Sequence, residues 1–194
     1  MGLKTFKGGV HPYEGKELAK DAPIVEVLPK GDLVYPLSQH IGAPASPIVA
    51  KGDRVLKGQK IAEAGGFVSS PIYASVSGTV KAIEPRRVAV GDMVNSIVIE
   101  NDGAFEEVSY TPCEDVTALS KEEIIGKVKE AGVVGMGGAG FPTCVKLKPA
   151  KPVDTILLNG CECEPYLTAD HKVLLEFADD IIFGLKAVLK TTGA

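Results

Sequence analysis

The sequence predicts an α+β protein of two domains, all-β over residues 1–110 and α/β over residues 111–194. Three observations carry this. Up to about residue 110, short Val/Ile runs alternate with Gly, Pro, Ser and Asp clusters, and no stretch sustains a helical period. After Asn101-Asp-Gly103 the composition changes and amphipathic helical patterns begin. Among those patterns lie two polar loops, Gly135-Met-Gly-Gly-Ala-Gly-Phe-Pro-Thr143 and Asn159-Gly-Cys-Glu-Cys-Glu-Pro165.

In the first domain, Ile24-Val-Glu-Val27, Ile48-Val-Ala50, Val76-Ser-Gly-Thr-Val80 and Ile97-Val-Ile-Glu100 are predicted strands. Val49-Ala-Lys-Gly-Asp-Arg-Val55 is echoed by Val88-Ala-Val-Gly-Asp-Met-Val94. Gly-Asp is a turn pair, so each copy reads as strand, turn, strand, and two similar halves suggest a pseudo-symmetric sandwich. His11, before Pro12, and His40, in Gln39-His-Ile-Gly42, sit in turn contexts that suit a turn-stabilising hydrogen bond, and neither is assigned a role. Gly52 to Ile61, followed by Ser70 to Val80, resembles the biotinyl/lipoyl-carrier fold, the barrel-sandwich hybrid. Those carriers present a lysine between the two runs. Ala62 to Ser69 has none and places Phe67 there, so a structural or docking module is expected rather than a loaded carrier.

The second domain opens with a capping box, Ser120-Lys-Glu-Glu123. The helix it starts puts Ile124, Ile125, Val128 and Ala131 on one face, and Gly132 ends it. Four of the six residues 135–140 are glycine, which lets backbone N–H groups approach an anion and permits positive φ. Gly135, Gly137 and Gly140 satisfy G-x-G-x-x-G, but a dinucleotide fingerprint needs a strand before it, and here a helix precedes. Pro142 suits the first turn of a following helix. The Gly-Lys-Ser/Thr ending of a P-loop is absent. Val153-Asp-Thr-Ile-Leu-Leu158 is predicted to be a buried strand, with the Asn159 loop at its carboxyl end, where ligands bind in open α/β sheets. Residues 169–177 and 178–190 are predicted helices, the second with a core stripe of Ile181, Ile182, Leu185, Val188 and Leu189. A helix crossing back over a sheet should deliver another strand, and none remains. The second domain is therefore expected to be truncated, part of a longer protein.

Composition excludes several function classes. A net charge of −4 with guanidinium only at Arg54, Arg86 and Arg87 gives no basic face, so no nucleic-acid partner is expected. The N-terminus lacks a signal-peptide core, and no apolar run is long enough to span a bilayer. Cys113, Cys144, Cys161 and Cys163 contain no C-x-x-C pair, so reduced thiols are expected and no metal ligand is assigned.

The two polar loops resemble the flavin-binding loops of the NADH-oxidising subunit family of respiratory complex I. A closer resemblance is to the RnfC family, a component of the Rnf electron-transport complex. It rests also on Phe6-Lys-Gly-Gly-Val-His-Pro12, Pro36-Leu-Ser-Gln-His-Ile-Gly-Ala-Pro44, Gly91 to Gly103 and Glu162 to His171, and it covers essentially the whole chain. The resemblance implies a barrel-sandwich-hybrid-like domain followed by the first part of an FMN/NADH-binding α/β domain. It implies NADH oxidation through FMN, with electrons passing to two [4Fe–4S] clusters in a later part of the protein and on to ferredoxin. It further implies membrane subunits that couple this to ion translocation, and a peripheral place on the cytoplasmic face of the bacterial membrane. A fragment of this length is expected to be inactive alone. By residue, Gly135, Gly137, Gly138 and Gly140 would approach the ribityl-phosphate or NADH, Phe141 would stack on NADH, and Lys146 would contact FMN. Asn159 and Glu162 match polar FMN contacts, and Glu164 matches the carboxylate that orients the nicotinamide, the one catalytic assignment. Met136 stands where complex I has an arginine and Cys161 where it has an aspartate, with Lys146 partly compensating for the lost charge. Two other readings share these features: a cobalamin-reductase-like protein of bacterial microcompartments, and a non-catalytic docking module.

Overall fold

In the computed structural model, which describes residues 8–10 and 12–194, the strands are β1 (Leu33–Pro36), β2 (Ser46–Pro47), β3 (Arg54–Val55), β4 (Lys60–Glu63), β5 (Ile72–Tyr73), β6 (Gly78–Arg87) and β7 (Met93–Asn101). The helices are α1 (Lys121–Glu130), α2 (Thr143–Lys146), α3 (Ala169–Glu176) and α4 (Ala178–Thr192). His11 and residues 1–7 lie outside the described residues. The chain divides into two compact units. One comprises the described part of residues 1–27 with Ile156–Leu185; the other comprises Leu28–Thr155 with Lys186–Ala194.

The larger unit holds the β domain. One sheet runs β1-β7-β6-β3 and a second runs β2-β4-β5, with antiparallel pairing throughout. Both Gly-Asp copies are turns that deliver a strand antiparallel to β6: Gly52 has φ 95° and Gly91 φ 96°, values an L side chain resists. Pro85 lies within β6, where β7 pairs one edge while β3 reaches only Gly78 and Thr79, so its missing N–H leaves no ladder bond unmade. The core is shared by both sheets: Val55, Ile61, Val76, Val80, Ile97 and Ile99 are all essentially inaccessible. Each such side chain contributes about 1.5–3 kcal/mol on leaving water.

Three predicted strands are not formed. Ile24 to Val27 is unpaired, with Val25 and Val27 exposed, and Val153 to Leu158 is unpaired too, with Leu157 88% exposed. Both have strand composition, but a strand exists only through a neighbouring ladder, and no described residue supplies one. Ile48 to Ala50 falls just after β2 rather than in a strand. The stripe on α4 is only half covered, with Ile182 49% exposed, and Ala131 at the end of α1 is exposed rather than packed.

An ionic clamp closes the β domain. Arg54 pairs with Asp102 at 2.7 Å and Glu106 at 2.8 Å, while the Ser77 hydroxyl donates to Asp102 at 2.7 Å and accepts from the Glu106 N–H. The Ser77 hydroxyl, the Ala104 N–H and Arg54 hold the Asp102 carboxyl down at about 2, against an ordinary 3.8. Its stabilising effect is therefore complete above the unfolded value and is lost as pH falls from about 4 through 2. Thermal melts of Asp102→Asn across that window are expected to fall less steeply with acid than wild type. An unchanged slope would remove Asp102 as a cause of acid unfolding.

Helix α1 is fixed at both ends, and this sets where the glycine loop begins. The Ser120 hydroxyl accepts from the Glu123 N–H, and the Glu123 carboxylate accepts from the Ser120 N–H at 2.7 Å, the capping box the sequence announces. At the other end Lys60 pairs with Glu130 at 2.6 Å and Glu63 at 3.2 Å, and the Tyr73 hydroxyl donates to the Glu130 carbonyl. Glu130 raises the Lys60 ammonium well above its ordinary range. Without that partner a carboxylate at a helix C-terminus would oppose the helix dipole. Gly132, at φ 67°, then turns the chain out of α1.

Candidate functional site

In the larger unit the glycine loop closes on itself. Val134 pairs with Pro142, the Gly135 N–H donates to the Phe141 carbonyl at 2.9 Å, and the Thr143 N–H donates to the Val133 carbonyl at 3.0 Å. The tip, residues 136–139, is exposed, with Met136 97% accessible. A Cβ added at Gly137 or Gly138 would meet no protein atom within 4 Å, so both present bare backbone to the outside.

Gly140 does the opposite. It is buried at φ 65°, and a Cβ there would come within 2.9 Å of His40 Cα and 3.0 Å of the Gln39 carbonyl. The Ile41 N–H donates to the Ala139 carbonyl at 2.8 Å, so residues 39–41 form the seat of the loop. The His40 ring is locked in turn. The Ser70 N–H donates to Nε2 at 3.1 Å, which leaves Nδ1 to carry the proton toward the Ile41 carbonyl, also at 3.1 Å. His40 is thus a turn-stabilising histidine.

Pro142 stands immediately before α2, and the buried Cys144 of α2 and Leu147 just after it pack with Ile125, Val128, Val145 and Val188. That packing makes Cys144 a core thiol and aims Lys146 outward. The Lys146 ammonium lies 5.9 Å from the Phe141 ring centroid and 3.0 Å from the point a Cβ on Gly135 would occupy. An exposed backbone loop with an ammonium at its base is chemically an anion cradle. The residues present therefore fit the phosphate of a flavin mononucleotide, and the glycine at 135 is what leaves room for the ammonium.

In the smaller unit, Asn159 and Glu162 are engaged with the backbone. Asn159 Oδ1 accepts from the Cys161 N–H at 2.9 Å, and Glu162 Oε1 accepts from the His171 N–H at 3.1 Å in the first turn of α3. The Glu164 side chain is exposed. Its carbonyl accepts from the Lys16 ammonium at 3.2 Å, which also reaches the Leu167 carbonyl at 2.7 Å. A cleft of about 200 Å³ is lined by Glu14, Lys16, Glu162, Cys163, Glu164 and their proline neighbours. Cys161 and Cys163 are exposed free thiols. Sequence spacing carries no signal for Lys16, which is far from this loop in the chain.

The expected site residues thus form two sets. Gly135, Gly137, Gly138, Gly140, Phe141 and Lys146 gather in one unit; Asn159, Glu162 and Glu164 gather in the other. Among the described residues no cluster of three His, Cys, Asp or Glu is placed to hold a metal, and no helix is long and apolar enough to cross a membrane.

Comparison with known proteins adds independent findings. Residues 4–104 match the RnfC barrel sandwich hybrid domain, and residues 128–194 match the Nuo51 FMN-binding domain. The chain is 47% identical over 192 residues to the C subunit of the Na(+)-translocating ferredoxin:NAD(+) oxidoreductase complex of Acetobacterium woodii, covering 97% of this chain and 43% of that one. It is 48% identical to the proton-translocating counterpart of Clostridium ljungdahlii, covering 97% and 42%. It is 38% identical to the C subunit of the ion-translocating oxidoreductase complex of Haemophilus influenzae strain PittEE, covering 95% and 29%. The chain spans less than half the length of these relatives.

Proposed function

Since the chain belongs to the RnfC family, we propose that it is the FMN- and NADH-binding part of the C subunit of an ion-translocating ferredoxin:NAD(+) oxidoreductase. The observation that carries this reading is the exposed glycine loop with the Lys146 ammonium at its base. It is the feature a flavin phosphate needs and a docking module does not. FMN, when bound, supplies a hydride acceptor that can pass electrons on singly.

This chain's own residues bind and orient. Backbone N–H groups around Gly137 and Gly138 and the Lys146 ammonium hold the phosphate. Phe141 stacks on part of NADH, and Asn159 and Glu162 supply polar contacts to FMN. The Glu164 carboxylate, directed to solvent, orients the nicotinamide. Cys161 stands where complex I has an aspartate, so the loop that carries Glu164 has one carboxylate fewer. The domain boundary falls near residue 110, so that the β domain ends before the capping box.

The full-length protein would bear two [4Fe–4S] clusters, which would supply one-electron acceptors between the flavin and ferredoxin, with the membrane subunits of the complex as its partners. That assigns the protein a peripheral place on the cytoplasmic face of the membrane. The relatives' names pair ferredoxin with NAD(+), and the same hydride step serves either direction, set by the potentials of the two couples. The test uses the full-length protein stripped of flavin. FMN titration is expected to quench flavin fluorescence stoichiometrically, and anaerobic NADH is expected to bleach the bound flavin. A protein that takes up no flavin, or whose bound flavin NADH does not bleach, would refute the proposal.

A further inference from the structure

Three consecutive residues near the N-terminus all contact the turn that carries Glu164. The Glu14 carbonyl accepts from the Tyr166 N–H at 2.6 Å. Gly15, at φ 61°, lies so close to the Tyr166 ring that a Cβ would clash with two of its carbons. The Lys16 ammonium spans the turn by donating to the carbonyls of Glu164 and Leu167. Tyr13 adds an edge-on contact to the same ring, with centroids 6.2 Å apart.

The turn needs holding. Tyr166 sits at φ 67°, a left-handed conformation that a tyrosine adopts only when its surroundings over-determine it. The ammonium is spent on main-chain carbonyls, and among the described residues Lys16 forms no ion pair with Glu162 or Glu164. The backbone of residue 164 is therefore fixed while its carboxylate stays open to a ligand. Holding a reactive group in place before the ligand arrives removes an ordering cost from binding and from the chemical step.

We infer that Glu14–Lys16 is a latch that positions Glu164 for the nicotinamide, with Lys16 its principal positioning residue. This rests on the role proposed above for Glu164. Neither the glycine loop nor the capping pattern gives any hint of it, because the partners lie 148 and 151 positions apart in the chain.

The test compares full-length wild type with Lys16→Met, which keeps the length and loses the donors, and with Lys16→Arg, which restores them. Hydrogen–deuterium exchange of the apo-protein reads the latch directly. Amides of residue 164 and residues 166–168 are expected to exchange at least about tenfold faster in Lys16→Met, with Lys16→Arg close to wild type. With FMN bound, NADH-dependent flavin reduction at saturating NADH is expected to slow about tenfold in Lys16→Met. Adding Lys16→Met to Glu164→Gln is expected to cost nothing further, because both act through one carboxylate. Unchanged exchange in Lys16→Met would overturn the latch. Faster exchange with additive losses in the double variant would overturn its positioning role and leave a structural brace. A Glu164→Gln protein that reduces flavin at the wild-type rate, while Lys16→Met still loosens the turn, would refute the role of Glu164 and not the latch.

Discussion

Gly140→Val is expected to weaken FMN binding by the full-length protein at least about a hundredfold while leaving the β domain folded. Two penalties coincide at this position. The backbone is at φ 65°, where a β-branched side chain is an outlier. The new Cβ would also press on the Cα of His40 and the carbonyl of Gln39, which are backbone atoms that cannot swing aside. The loop must then leave its seat, and the bond from the Ile41 N–H to the Ala139 carbonyl goes with it. Gly137→Ala gives the complementary reading. Its Cβ meets no protein atom and the glycine is not at positive φ, so the apo-protein should be indifferent to it. Any loss of FMN affinity there reports close approach of the ligand alone. Equilibrium titration with FMN, beside thermal melts of the apo-proteins, checks both. Wild-type affinity in Gly140→Val would show that the conformation of the loop does not matter for the flavin.

Glu164→Gln is expected to slow NADH-dependent flavin reduction about tenfold to a hundredfold with FMN content unchanged. Removing a hydrogen bond made by a charged group costs about 1.5–3 kcal/mol when the partner is held in place, which sets that range. The amide keeps the shape of the side chain and loses its charge, so FMN occupancy separates a binding defect from a positioning defect. Stopped-flow reduction at saturating NADH reads the effect. An unaltered rate would move the orienting role to another residue of the same loop, with Glu162 already committed to the His171 N–H.

How much of this was legible in the sequence follows from the range of each interaction. The capping box at Ser120 and Glu123, the Gly-Asp turns at Gly52 and Gly91, and the break between α3 and α4 are set by neighbouring residues, and all are formed. Ile24 to Val27 and Val153 to Leu158 have strand composition, yet pairing is a long-range event and no described ladder receives them. The stripe on α4 has the right period, but period says which face is apolar and not whether anything covers it. Among the site residues, the density of glycines announced a loop of bare backbone, which is formed, while the G-x-G-x-x-G spacing alone suggests a dinucleotide fingerprint that its context does not support: α1 precedes it, and Val134 pairs with Pro142 rather than leading in as a strand. The backbone engagement of Asn159 and Glu162 was not foreseen, nor was the reach of Lys16 across the chain. The Gln39-His-Ile-Gly42 turn drew notice without a role; it proves to be the surface on which Gly140 rests.

In the proposed function the glycine loop and Lys146 hold a flavin by its phosphate. Comparing FMN with riboflavin isolates that interaction, because the two ligands differ only in the phosphate. The full-length wild-type protein is expected to prefer FMN by at least about a hundredfold, and Lys146→Met is expected to narrow that preference about tenfold, as loss of one charge-assisted contact predicts. Equal affinity of the wild-type protein for FMN and riboflavin, or an unchanged preference in Lys146→Met, would contradict the account.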